Sequence, residues 1–257
     1  MQWFNLLKAN MRKEYIELKR YLPNTLAMIF TFYIIFLGMF FGISIVGDPT
    51  TVDSNIQYAI VNYIFWFLAM MIVSDVGWQI TNEAMRGTLE QLSMSPMGIW
   101  RILMARLMST TVINFFMIVV LLYLSMLTTG QWLNIDVISL VPILLLTFVS
   151  MFGLGFIIAG ISIILKQVQA FLQILQFILA GLAFVPISVA PFLTYFPFVK
   201  GVDMVRDVMI NGVTLSQMAG MDFVILAANG IVYFLVGLVF FLYCERVAMS
   251  KGLLAHY

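Results

Sequence analysis

The chain is nearly empty of the residues that carry most enzyme chemistry. Its 257 residues include one cysteine, Cys244, and one histidine, His256. A single cysteine excludes an intramolecular disulfide, and without a Cys/His cluster there is no zinc site. His256 lies in a polar tail, so histidine-dependent chemistry inside an apolar span is excluded, including the serine–histidine pair of an intramembrane protease. No G-x-x-x-x-G-K run exists to cradle ATP, and no H-E-x-x-H to hold a metal. Charge is scarce as well. Only 10% of residues are Asp, Glu, Lys or Arg, and the net charge of +1 points to no nucleic-acid partner. With 63% hydrophobic residues, the chain is not a water-soluble globular domain.

What remains is long apolar runs separated by short polar ones. Pro23–Val46 has 24 residues, about 36 Å as a helix, enough to cross a bilayer core with some tilt. Further spans are expected at Ile56–Ile80, Met97–Thr129 (amphipathic at its start), Val137–Leu165, Ala170–Ala190 and Phe223–Tyr243. Gly47–Asn55, Gly130–Asp136 and Lys166–Gln169 are short connections. Glu245–Tyr257 is a polar tail. Before the first span, Met1–Leu22 reads as an amphipathic interfacial helix. Phe4, Leu7, Met11, Tyr15, Leu18 and Leu22 share one stripe, with Lys8 and Lys19 at its flanks. The apolar run that follows is too long for a secretory leader and shows no convincing small-residue cleavage site. The expectation is an all-α polytopic membrane protein with six transmembrane helices, residues 1–257 forming one transmembrane domain. Eleven Lys and Arg residues fall on the side of the termini, against Lys200 and Arg206 on the other. That asymmetry places both termini in the cytoplasm.

The longest charged passage, Thr81–Leu107, joins the second and third spans. It holds Glu83, Arg86, Glu90, Arg101 and Arg106. Gly87 interrupts the helix, and Thr88 with Gln91 reads as a capping box opening a short helix over Thr88–Met94. Ser95-Pro96 supplies a cap and a first-turn proline for the next helix. Such an element is either a solvated loop or a docking site for a soluble partner. Glu83, Gly87-Thr88-Leu89-Glu90, Leu92 and Ser95-Pro96 together resemble the cytoplasmic loop of type-2 permeases, the membrane subunits of ATP-binding-cassette exporters. The resemblance implies a coupling helix within residues 81–96 that seats in a groove of an ATPase subunit, with Glu83, Arg86, Gly87, Thr88, Leu89, Glu90 and Leu92 transmitting the stroke. Leu89 and Leu92, three residues apart, are expected to fill the groove, with Glu90 at its rim.

Residues 191–222 form a second distinctive region. Pro186, Pro191 and Pro197 break regular helix, and Asp203–Asp207 can resume a short one. Phe192, Tyr195, Phe196 and Phe198 keep the segment at membrane depth, where non-helical backbone must be buried in protein or line a cavity. The pattern is similar to the outer re-entrant hairpin of the same family, between spans five and six, with Pro191, Pro197 and Arg206 in the places of an outer gate. It departs from the family at Phe198, where a second proline is usual, and at Ala180-Gly181, where Ser-Gly is common.

Within the spans, Gln169, Gln173 and Gln176 make one polar stripe. It serves either hydrogen bonding between helices or the lining of a substrate pathway. Gly153, Gly155, Ala159 and Gly160 permit close helix approach. Asp75 reads as an interfacial carboxylate within reach of Arg101 or Arg106. The resemblance as a whole implies a permease that dimerises, with itself or a paralogous subunit, and recruits two ATPase subunits. No catalytic residue, cofactor or metal is expected in this chain; ATP and Mg would bind the partner. Membrane lipids are the remaining partners, the plasma membrane the location. Short outer loops favour a hydrophobic drug, an antibiotic peptide or a lipid-like cargo. The competing reading is a stand-alone ion-coupled transporter or channel, which would need charged residues deep in several spans.

Overall fold

A computed structural model describes residues 2–165 and 168–251. Lys166 of the expected turn after the fourth span, and tail residues 252–257 with His256, lie outside the described residues. Those described form nine α-helices and no strand: α1 (Gln2–Arg20), α2 (Leu22–Val46), α3 (Val52–Met85), α4 (Leu89–Ser93), α5 (Ile99–Thr129), α6 (Val137–Leu165), α7 (Gln169–Phe184), α8 (Val199–Met209) and α9 (Gly220–Ser250). Five of them, α2, α3, α5, α6 and α9, are long and apolar enough to cross a membrane.

The helix in the fifth position is shorter than the sequence suggests. α7 stops at Phe184, not Ala190, and its 16 residues reach about 24 Å. Pro186 ends it: the residue before a proline is pushed out of the α region, and Val185 is extended at φ −81°, ψ 119°. The chain then makes a short 3₁₀ turn, Pro191–Tyr195, before α8.

α3 is the central helix. Ile60, Phe67, Ala69, Ile72 and Val73 along it are fully buried. α2 is peripheral and buries only Phe36. α6 and α9 cross at backbone contact. A Cβ on Gly153 would lie 2.3 Å from the Tyr233 carbonyl oxygen, and one on Gly237 would lie 2.1 Å from that of Gly153. No side chain fits at either position, so the expected close approach is made against α9.

The predicted stripe of α1 divides. Leu7, Met11 and Leu18, with Leu6 and the buried Asn10, turn inward, while Phe4, Tyr15 and Leu22 stay exposed. The packed face of α1 lies against α5.

Candidate functional site

The loop between α3 and α5 is built by two left-handed glycines. Gly87 (φ +67°) ends α3, and Gly98 (φ +74°) precedes α5, conformations that cost other residues strain. The short helix between them spans Leu89–Ser93, and it is not opened by a capping box. The Thr88 hydroxyl bonds back to the Glu83 carboxylate and, at 3.2 Å, to the Glu83 carbonyl. Glu83 also meets Arg106 of α5 at 2.9 Å, with both side chains half-buried. One carboxylate therefore ties α3, the turn into α4 and α5 together. Each partner is charge-assisted, which makes these the stronger kind of hydrogen bond.

Arg106 is committed to Glu83, so it does not pair with Asp75. The Asp75 carboxylate instead accepts from the Asn114 amide at 3.0 Å, inside the bundle and nearly three turns before the end of α3. Ser95-Pro96 does not start α5. Ser95 accepts the Gly98 N–H at 3.0 Å in a turn, and the helix begins at the buried Ile99. Glu245, a buried residue of α9, lies close to that helix start. An acid near a helix N-terminus suits the dipole.

Leu89 is buried and Leu92 packs against the core, so neither presents a free apolar face. The side of α4 that faces away from the protein carries Glu90, Gln91 and Met94, the last 74% exposed. Arg86 and Gly87 are exposed beside it. Close by on α1, burial pushes the Glu14 carboxyl up, opposed by the Lys13 ammonium at 3.5 Å.

Arg206 holds the segment at the other end of α3. Its Nε donates to the Asn62 side-chain oxygen and its Nη2 to the Ala183 carbonyl oxygen, both at 2.7 Å, while Asp203 stands 3.8 Å from Nη1. The guanidinium thus pins α8 to the middle of α3's first half and to the end of α7. Its five donors in a fixed fork suit several acceptors at once. Lys200 bridges to Asp222 at the start of α9, 2.9 Å away. The Asn229 amide of α9 donates to the Tyr195 and Phe196 carbonyls at 3.0 and 3.1 Å.

Phe198, the departure from the family pattern, has a physical reason. It is the one non-glycine residue with positive φ among those described, at +56°. Its N–H donates to Ser150 Oγ of α6 at 3.0 Å. Proline can do neither, because its ring fixes φ near −65° and it has no N–H. Pro197 is buried just before it, and Pro191 opens the 3₁₀ turn. Three residues on, a Cβ at Gly201 would lie 2.0 Å from Thr147 Oγ1, so α8 lies directly on α6.

The glutamine stripe faces outward. Gln169 and Gln173 are exposed, Gln176 is half-buried, and no side-chain hydrogen bond joins any of the three to a described residue. The contact made there uses backbone: Trp66 Nε1 donates to the Gln176 carbonyl at 3.0 Å. Asn62, Asn114, Ser150 and Glu245 were missed by sequence reasoning. The first three are lone polar residues in apolar helices, a weak signal that gains meaning only with a partner from another helix.

The helices and their apolar lengths define a multi-pass membrane protein. Residues 47–239 match the model of a family described as ABC-2 family transporter protein, well over half of the chain. The protein belongs to that family and is the permease, the membrane component, of an ABC transporter. None of the curated proteins matches the chain.

Proposed function

We propose that this permease is one half of an ATP-driven exporter and that α4 is its coupling helix. The observation that carries this is the Glu83 clamp. A pushed element must be fixed at both ends to transmit force, and Glu83 fixes α4 to α3 through Thr88 and to α5 through Arg106. From Glu83 to Asn62, α3 runs about 32 Å along its axis and ends at the Arg206 knot. Movement of the loop would therefore be felt at the α8 segment through α3, the most buried of the five membrane-length helices.

In this reading the chain crosses the membrane six times as a single domain. α7 and the extended residues after it make the fifth crossing, and residues 191–222 form the re-entrant outer hairpin. Both termini and the loop at 81–96 are cytoplasmic, in the plasma membrane. A separate ATPase subunit binds ATP and Mg and takes the Glu90, Gln91 and Met94 face of α4. The outward glutamines Gln169, Gln173 and Gln176 meet a second permease subunit and line the pathway between the two. The cargo is a hydrophobic drug, peptide or lipid-like molecule. The test is co-purification of an ATPase subunit with the wild-type chain, and its loss with Met94→Asp. Retention of the ATPase by that variant, with normal coupled hydrolysis, would overturn the assignment of α4.

A further inference from the structure

An apolar cleft of about 730 Å³ opens between α5 and α6, with Phe234 of α9 at its edge. Met104, Met108 and Phe115 line it from α5, and Leu144, Phe148 and Phe152 from α6. No polar atom contributes to its surface. The α5 lining from Met104 to Phe115 extends about 16 Å along the helix axis. One leaflet of a bilayer, half of a hydrocarbon core of about 30 Å, has the same depth.

The cleft has a charged residue at one end. At 100° per residue, Arg101 falls on the same face of α5 as Met104, Met108 and Phe115, one turn before the first of them. Arg101 is exposed and belongs to none of the ion pairs among the described residues. Its guanidinium lies 5.1 Å from the ring centre of Trp100, a contact that holds it at the helix end. Tryptophan and arginine are both at home at the level of lipid headgroups.

The geometry points to a phospholipid site, with the phosphate on Arg101 and one acyl chain in the cleft. Arginine matches phosphate with a bidentate fork, and a cleft with no polar surface takes hydrocarbon alone. The two halves of the ligand are separated by one helical turn, as the headgroup and chain of one lipid are. This site is independent of the coupling role of α4, since it needs no partner protein.

The test uses the full chain in phosphatidylcholine vesicles, doped with a phosphatidylglycerol that carries a mid-chain diazirine. Illumination followed by mass spectrometry locates the adducts. Saturable adducts are expected within Met104–Phe116 and Leu144–Phe152, competed by unlabelled phosphatidylglycerol. Arg101→Gln should lower their yield about five-fold. A diacylglycerol with the same chain but no phosphate should label at that lower level. Leu144→Trp should fill the cleft and remove the adducts while labelling of exposed α2 stays constant. Because Arg101 is exposed, its variant tests the site even where Leu144→Trp fails to fold. Adducts no denser than on α2 and unchanged by Arg101→Gln would mean ordinary boundary lipid and overturn the proposal. Absence of cleft adducts, with Leu144→Trp dissociating a dimer, would assign the cleft to a second copy of the chain and overturn it as well.

Discussion

Glu83 at the end of α3 and Arg106 in the second turn of α5 are 23 residues apart in sequence and 2.9 Å apart in space. Everything between them, including both left-handed glycines and α4, is a loop closed by that ion pair. Half-burial makes the pair worth more than an exposed one, but less than one deep in the core.

A double-mutant cycle of Glu83→Gln and Arg106→Gln should return a coupling energy of about 1–2 kcal/mol in thermal unfolding. Glu83→Gln should cost less alone, because its amide oxygen still accepts from Thr88. Additive single effects would show that the pair does not close the loop.

The inward turn of Leu89 separates two kinds of substitution on α4. Leu89→Asp buries an unpaired charge and should lower stability by several kcal/mol. Leu92→Asp should cost less, since Leu92 is only half-buried. Glu90→Lys and Met94→Asp lie on the free face and should leave the melting temperature unchanged while weakening ATPase recruitment, Glu90→Lys more so at low salt. Equal stability losses across all four would place the whole helix in the core.

At Phe198 the backbone should reject proline. Phe198→Pro removes the N–H donated to Ser150 and forbids φ +56°, so a loss of about 3 kcal/mol or more is expected. Ser150→Ala removes the acceptor alone and should cost about 1–2 kcal/mol. Detergent-phase thermal unfolding reads both, and a proline variant as stable as wild type would disprove the left-handed bend.

Thr111 carries the one buried side-chain oxygen without a hydrogen-bond partner among the described residues. Thr111→Val keeps the shape and deletes the unmet hydroxyl. The melting temperature should hold or rise, by the equivalent of about 1 kcal/mol. A clear drop would mean that the hydroxyl has a partner in the membrane.

Cysteines introduced at Ser54 and Asn134 in a Cys244→Ala background should react with an impermeant thiol reagent applied outside cells, and one at Ser250 should not. The charge asymmetry of the sequence supports this orientation. The reverse pattern would move α4 to the outside and remove its proposed ATPase contact.

The sequence by itself determined that the chain is helical and membrane-embedded. Apolar runs above 20 residues leave the backbone no alternative to helix in hydrocarbon. It also marked Gly87, the Glu83–Pro96 stretch and the proline-broken segment, because glycine, proline and clustered charge act through local backbone chemistry. Local rules failed where a distant group competed for the same atoms. Thr88 had a capping partner available nearby, yet its hydroxyl goes to Glu83, whose carboxylate is already fixed by Arg106. Ser95-Pro96 had the chemistry of a helix start, yet the chain turns there on the left-handed Gly98, and α5 begins at the buried Ile99. Leu89 and Leu92 had the spacing of an outward apolar face, but only packing chose the side, because burying leucine inside the protein satisfies the same pattern. Asn62 and Arg206, 144 residues apart, had no local signature of each other. Their 2.7 Å contact exists because α3, α7 and α8 converge on one point, a property of tertiary structure that no stretch of sequence contains.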